Sequence, residues 1–289
     1  MKWNNFATFI LTHGRPDNVL TYGALRKHGY TGPIYLIVDN EDSTLGEYKK
    51  KYGDQVIIFD KLRAAENTDT CDNYKKRNSV VFARNQNFII AKEMGLKHFW
   101  QLDDDYQNFS WRIDNNRNEC YLCTKSLDSI LRACIQLKQD VGAHSIAMAQ
   151  NGDYIGGPAK STVGKPWIRK GWFSRKAMNS FIFDVDMPCT FRGRVNDDVN
   201  LYVEEGRKGK LFITIARMSL QQPATQQEGG GCTDIYLELG TYIKSFYSVM
   251  VAPSCVKIAT LISRHKRIHH QVIWENAIPV IVPEHFRKV

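Results

Sequence analysis

Phe99-Trp100-Gln101-Leu102-Asp103-Asp104-Asp105 is the stretch that decides the fold. A short apolar run closed abruptly by three acids reads as a buried strand that reaches solvent at its carboxyl end. Upstream, Phe6 to Thr12 (FATFILT), Ile34 to Val38 and Val56 to Phe59 read the same way. Val19 to Lys27 and Leu45 to Tyr52 read as helices between them. A longer helix over Ser79 to Met94, stopped by Gly95, leads into the acidic strand, and Ala64 to Lys76 reads as a polar loop. This alternation predicts one α/β domain, Rossmann-like, with a mixed, mostly parallel sheet flanked by helices.

Ligands bind such sheets beyond the carboxyl ends of the strands. Three strands end in chemically capable residues: Thr12-His13-Gly14-Arg15, Asp39-Asn40, and Asp103-Asp104-Asp105. Those ends should share one crevice. Past Asp105 the pattern changes. Trp111 to Tyr121 reads as an antiparallel excursion, Leu127 to Lys138 as an amphipathic helix, and Ser145 to Ala149, Ser180 to Phe183 and Leu211 to Ala216 as strands. Asp197-Asp198 opens a helix that closes at Gly206, and Tyr236 to Val249 is helical. Gln221 to Cys232 is a glycine-rich loop long enough to act as a lid. The domain thus divides into halves at residues 1–105 and 106–289.

The chain has 289 residues and a net charge of +9. That excess favours a polyanionic partner. The cations crowd one segment, where Lys165, Arg169, Lys170 and Arg175 alternate with Trp167 and Trp172. Cations hold phosphates and aromatic rings stack on bases. These six residues are therefore candidate DNA contacts. No apolar run approaches the roughly 20 residues that span a bilayer. Seven cysteines without a regular framework fit a reducing cytoplasm, and Cys120-x-x-Cys123 lacks the companions of a zinc site.

Two carboxylates of an Asp-x-Asp at a strand end lie on the same side of the chain. Asp103 and Asp105 in this arrangement suit Mg²⁺ or Mn²⁺, hard ions that also take diphosphate oxygens. Thr12, His13, Gly14, Arg15 and Asp39 stand where α/β folds contact a nucleotide, with Arg15 suited to a diphosphate. Arg84, on the helix before the acidic strand and accompanied by Asn85 and Arg77, is a candidate contact to donor phosphate or sugar. Asp197 and Asp198 offer a carboxylate for an acceptor hydroxyl while also suiting a helix start. Glu204-Glu205 reads as a solvated helix end. His269 or His270 offers a late imidazole ligand.

The ordered set Leu11-Thr12-His13-Gly14-Arg15, Ala83-Arg84-Asn85, Leu102-Asp103-Asp104-Asp105, Asn196-Asp197-Asp198 and Ile268-His269-His270-x-x-x-Trp274-x-x-Ala277-x-Pro279 resembles a GT-A glycosyltransferase. More narrowly it is similar to the TET/JBP-associated glycosyltransferases of bacteriophages, relatives of the glycosyltransferase-like region of GREB proteins. The resemblance implies transfer of a sugar from a UDP-sugar to the hydroxyl of a 5-hydroxymethylpyrimidine, such as 5-hydroxymethylcytosine, in DNA. It implies Mn²⁺ or Mg²⁺ on Asp103 and Asp105 with His269 or His270, and donor contacts from the first-strand turn, Asp39, Arg84, Asp103 and Asp104. It places the acceptor-side carboxylate at Asp197 or Asp198, the donor in residues 1–105 and the acceptor in 106–289. A phage-infected bacterial cytoplasm is the implied setting. One departure stands out: Val280 follows Pro279 where the resemblance leads one to expect lysine.

Other readings keep different parts of this pattern. A protein, glycan or lipid acceptor keeps the donor chemistry. A non-enzymatic nucleic-acid-binding module explains the basic segment but not the strand-end acids, which repel phosphate. A metal-dependent nucleotidyltransferase also uses strand-end carboxylates.

Overall fold

The computed structural model describes residues 3–112, 120–122, 126–150, 176–177, 179–222, 232–262 and 266–279. Four parallel strands form its first part: β1 (Phe6–Leu11), β2 (Ile34–Asp39), β3 (Val56–Phe59) and β4 (His98–Asp103). They are joined by α1 (Leu20–Lys27), α2 (Leu45–Tyr52), α3 (Lys61–Glu66) and α4 (Val81–Glu93). All six residues of β1 are buried, as expected of a parallel strand covered on both faces. Alternate side chains of β4 enter different cores. Phe99 packs with Phe9, Phe88 and Phe183 on one face, and Trp100 and Leu102 pack with Ile10, Leu36 and Val38 on the other.

The second part extends the same sheet with β5 (Asn108–Arg112), β6 (Cys120–Leu122), β7 (Ser145–Gln150), β8 (Ser180–Asp184) and β9 (Phe212–Gln221). The strand order is β3-β2-β1-β4-β8-β7-β9-β5-β6. β8 runs antiparallel to β4, and β5 pairs antiparallel with both β6 and β9. The chain order reverses between β1 and β4, so the switch-point crevice opens at their carboxyl ends. α5 (Leu127–Asp140) sets Leu127 and Leu131 into the core that holds Trp100, whereas α6 (Asp197–Arg207) sets Val199 and Val203 into the core that holds Phe99. The expected mixed, mostly parallel sheet flanked by helices is therefore present.

α7 (Cys232–Val251) bends at Gly240, which takes the left-handed φ of 73°. A separate hairpin of β10 (Val256–Ile262) and β11 (Lys266–Val272) follows, then α8 (Trp274–Ala277). The tail docks on α6. Trp274 stacks on Tyr202 with ring centroids 5.8 Å apart. A Cβ on Gly206 would run into the Ala277 carbonyl oxygen, so only glycine permits this approach. The Trp274 and Ala277 of the tail pattern thus anchor the chain to the helix that begins at Asp197.

Two expectations change. Part of the segment read as a loop is α3, capped by the Asp60 side chain, which accepts the Arg63 N–H. Glu204 and Glu205 are buried, not solvated. Arg192 and Lys208 pair with Glu204, and Lys208 and Lys210 pair with Glu205. These cations return over the helix end and replace its water. Lys165, Trp167, Arg169, Lys170, Trp172, Arg175 and Cys123, and the 223–231 part of the lid expected in the glycine-rich loop, lie outside the described residues.

Candidate active site

The register that pairs Leu11 with Asp103 brings the residues just beyond β1 and β4 together. Thr12 Oγ1 donates to Asp104 Oδ2 at 2.7 Å and lies 2.7 Å from the Tyr48 hydroxyl. That hydroxyl accepts the Arg15 N–H at 3.0 Å. Arg15 Nε lies 3.0 Å from Asp104 Oδ2. Asp104 is therefore a buried tie between two strand ends. Burial pushes its carboxyl up to about 6 despite Arg15 and Thr12.

At the end of β2, His13 Nδ1 lies 2.7 Å from Asp39 Oδ2, and Lys61 Nζ lies 3.2 Å from the same oxygen. Burial alone would raise the Asp39 pKa, but the His13 hydrogen bond and Lys61 hold it below the ordinary value. The His13 pKa is raised, chiefly by that hydrogen bond. The Gly14 N–H donates to Asp42 Oδ2 at 2.7 Å. All three strand ends thus converge, and the first-strand turn is held by acids on both sides.

Arg84 lies beneath the acidic cluster, 2% exposed. Its Nη2 donates to Asp103 Oδ1 at 3.0 Å and to Asn179 Oδ1 at 3.1 Å, and its Nε lies 2.5 Å from Asp197 Oδ2. The last contact is an ion pair without hydrogen-bond alignment, and Nη1 is buried with no hydrogen-bond acceptor among the described residues. Asp103 is pushed up to about 6 by burial and by Asp105 and Asp198, against the pull of Arg84. Asp197 is pushed up to about 6 by burial and by Asp198 and Asp103, again against Arg84. Four carboxylates, Asp103, Asp105, Asp197 and Asp198, thus act on one another around a single buried guanidinium. Below them, the Tyr106 hydroxyl donates to the Asn179 carbonyl at 2.8 Å.

Asn196, in the left-handed conformation at φ 56°, turns the chain into α6. Its Nδ2 donates to the Lys244 carbonyl at 2.8 Å and lies 3.3 Å from His270 Nδ1. Asp198 Oδ1 accepts the Val199 N–H at 2.7 Å. His270 is buried, which pushes its pKa down to about 2. His269 Nδ1 lies 2.6 Å from the His270 carbonyl oxygen, so it carries the proton and leaves Nε2 with a lone pair. His270 therefore meets the turn that opens the helix carrying Asp197 and Asp198. Among the described residues, however, no group of three or more His, Cys, Asp or Glu side chains is gathered closely enough to hold a metal ion.

Asn85 plays a supporting part. Its side chain both donates to and accepts from the Phe191 backbone, fixing the segment that leads to Asn196. Arg77 pairs with Glu41 at 2.6 Å on the surface. The motifs alone do not single out Asp42, Tyr48, Lys61 or Asn179 as parts of this site. Asp42 carries a signal, since it lies in the polar run that closes β2. Asn179 carries none, because it sits at a positive φ that the sequence does not announce.

A model of the TET-Associated Glycosyltransferase family matches residues 6–231, which include the three strand ends and the start of α6. The chain belongs to the TET-associated glycosyltransferase family. No curated protein sequence matches this family member. Its fold is similar to crystal structures of glucosyl-3-phosphoglycerate synthase from Mycobacterium tuberculosis. The complex with Mg²⁺ and uridine diphosphate has a TM-score of 0.51 at 8% identity, covering 93% of this chain and 87% of that one. The complex with uridine diphosphate has a TM-score of 0.50 at 8% identity, covering 96% and 88%. Those likenesses establish the GT-A fold for this TET-associated glycosyltransferase. Among the described residues, no helix is long and apolar enough to cross a membrane.

Proposed function

We propose that this glycosyltransferase moves a sugar from a UDP-sugar to the hydroxyl of a 5-hydroxymethylpyrimidine in DNA, with a divalent cation at the acidic strand end. The observation that carries this is the bridge from Asp103 through Arg84 to Asp197, which joins a donor-side acid to an acceptor-side acid in one crevice. The similar synthase structures in complex with uridine diphosphate, one also with Mg²⁺, support the donor assignment. The family description supports DNA as acceptor.

The donor set fits a hard divalent ion. It offers carboxylate oxygens whose negative charge exceeds what Arg84 offsets, and burial has already raised Asp103 to about 6. Asp103 and Asp105 would hold the ion together with diphosphate oxygens, and His269, whose Nε2 its Nδ1 contact leaves unprotonated, would be the imidazole brought to it when donor and cation bind. His270 is less suited, because its Nδ1 faces the Asn196 amide donor. When bound, the ion supplies Lewis-acid neutralisation of the departing diphosphate.

The protein's own groups do the rest. The turn at Thr12 to Arg15, with Asp39 held ionised, lines the nucleotide side. Asp197 is committed to Arg84, so Asp198 is the carboxylate that holds the acceptor hydroxyl. The hydroxyl oxygen bonds to the anomeric carbon as its proton passes to Asp198 or to the departing diphosphate, the bond from that carbon to the diphosphate breaks, and UDP departs. A modified base reaches the crevice by leaving its stack.

The test is mass spectrometry of hydroxymethylated DNA incubated with individual UDP-sugars and Mn²⁺. The expected result is a nucleoside heavier by one glycosyl unit, present only with hydroxymethylated substrate. Glycosylation of a protein, glycan or lipid with no change in the DNA would overturn the acceptor assignment.

A further inference from the structure

Beyond the family-matched residues, α7 and the β10–β11 hairpin present a surface that the active site does not use. Tyr242, Ile243, Phe246 and Met250 are 53%, 44%, 47% and 59% exposed. Tyr242, Phe246 and Met250 recur every fourth residue and so form one outward stripe. Tyr247 and Ser248 face inward, where Tyr247 donates to Asp72 and Ser248 lies against Asn196. On the adjoining hairpin, Lys257, Lys266, Arg267 and Ile268 are exposed. From Leu239 to Trp274 the sequence has no Asp or Glu, while Lys244, Lys257, Arg264, Lys266 and Arg267 all fall within it. The charged residues that this segment contributes are therefore all positive.

We infer that this face binds the DNA strand beside the acceptor nucleotide, with Tyr242 and Phe246 as stacking platforms and Lys257 and Arg267, which share one face of the hairpin, on the phosphates. The inference rests on the acceptor reading above and names where the polymer docks. Exposed aromatic rings framed by cations, without acids, complement bases and phosphates together. Rings four residues apart on a helix are separated by roughly 6 Å along its axis. Stacked duplex steps are about 3.4 Å apart, so the pair suits a strand drawn out of its stack. The stripe is also joined to the catalytic helix. Asn196, at the start of α6, donates to the Lys244 carbonyl between Ile243 and Phe246. A strand on this face would lead toward Asp198.

The test uses the full chain and fluorescence anisotropy with a labelled single-stranded oligonucleotide, a duplex, and vesicles of phosphatidylglycerol and phosphatidylcholine. Each substitution, Tyr242→Ala and Phe246→Ala, should weaken single-strand binding by about 5-fold or more. K257Q/R267Q should make the slope of log affinity against log salt shallower by about 1.4. Thermal melting of the variants should match the parent. Unchanged DNA affinity in all of these variants would overturn the inference. So would loss confined to vesicle binding, or conversion of a dimer to a monomer with DNA binding intact. Transfer to DNA that survives the variants sinks this surface and leaves the acceptor reading standing. DNA binding that depends on the stripe, without any sugar transfer to DNA, does the reverse.

Discussion

Arg84 Nη2 and Asp103 Oδ1 lie 3.0 Å apart, joining α4 to the end of β4 inside the crevice. The same guanidinium reaches Asp197 at the start of α6. One buried cation therefore sets the spacing between the acid that ends β4 and the acid that opens α6.

Removing it leaves the buried Asp197 and the half-buried Asp103 uncompensated. Arg84→Ala should cost about 3–5 kcal/mol of stability, the range for breaking a buried ion pair. Arg84→Lys keeps a charge but not the planar fork, so it should recover part of the stability and little of the transfer rate. Urea denaturation with a transfer assay on both variants checks this. Equal stability of Arg84→Ala and parent would contradict it.

The raised carboxyls have a signed pH consequence. Asp103 and Asp197 move from an ordinary 3.8 to about 6 in the folded chain. Between those values the folded state binds more protons than the unfolded one, so their contribution to stability falls as pH rises through the window. A cation that relieves the repulsion should therefore raise Tm more at pH 7.5 than at pH 5, where protons compete for the same oxygens. Differential scanning fluorimetry with and without Mn²⁺ measures it. An equal shift at both pH values would count against binding at these acids.

Asp105→Asn should abolish sugar transfer while leaving Tm within a few degrees. Asp198→Asn should lower turnover at least about 100-fold, the lower end for general acid–base groups, with little change in UDP affinity. Steady-state kinetics and UDP calorimetry separate the two. Substantial turnover by Asp105→Asn would refute the metal role.

The tail histidines should part company. His269→Ala should weaken Mn²⁺ binding, read by manganese electron paramagnetic resonance, by about 10-fold or more. His270→Ala removes a buried ring packed beside Asn196, so it should chiefly lower Tm. The opposite pattern would assign the ligand to His270.

Much of the fold and part of the site are legible in the sequence. Parallel strands buried on both faces must be apolar, so the polar residues that end them stand out, and Thr12, Asp39 and Asp103 are visible in that way. The Arg84–Asp103 link is not legible as a contact, since it spans a helix-to-strand connection and depends on how α4 crosses β4. Glu204 and Glu205 mislead because paired acids at a helix end read as solvated, and Arg192 returns to them from the preceding segment. The role of Asn196 comes from a backbone conformation that asparagine tolerates but does not announce. The motif suits Arg15 to a diphosphate, whereas the structure pairs it with Asp104.

The central claim is that the strand-end acids hold a divalent cation beside a nucleoside diphosphate. Anomalous scattering from crystals soaked with Mn²⁺ and UDP tests it most directly. A manganese peak against Asp103 and Asp105, with the diphosphate on its other side, is expected. UDP bound in the crevice with no such peak, or manganese held elsewhere on the chain, would contradict it.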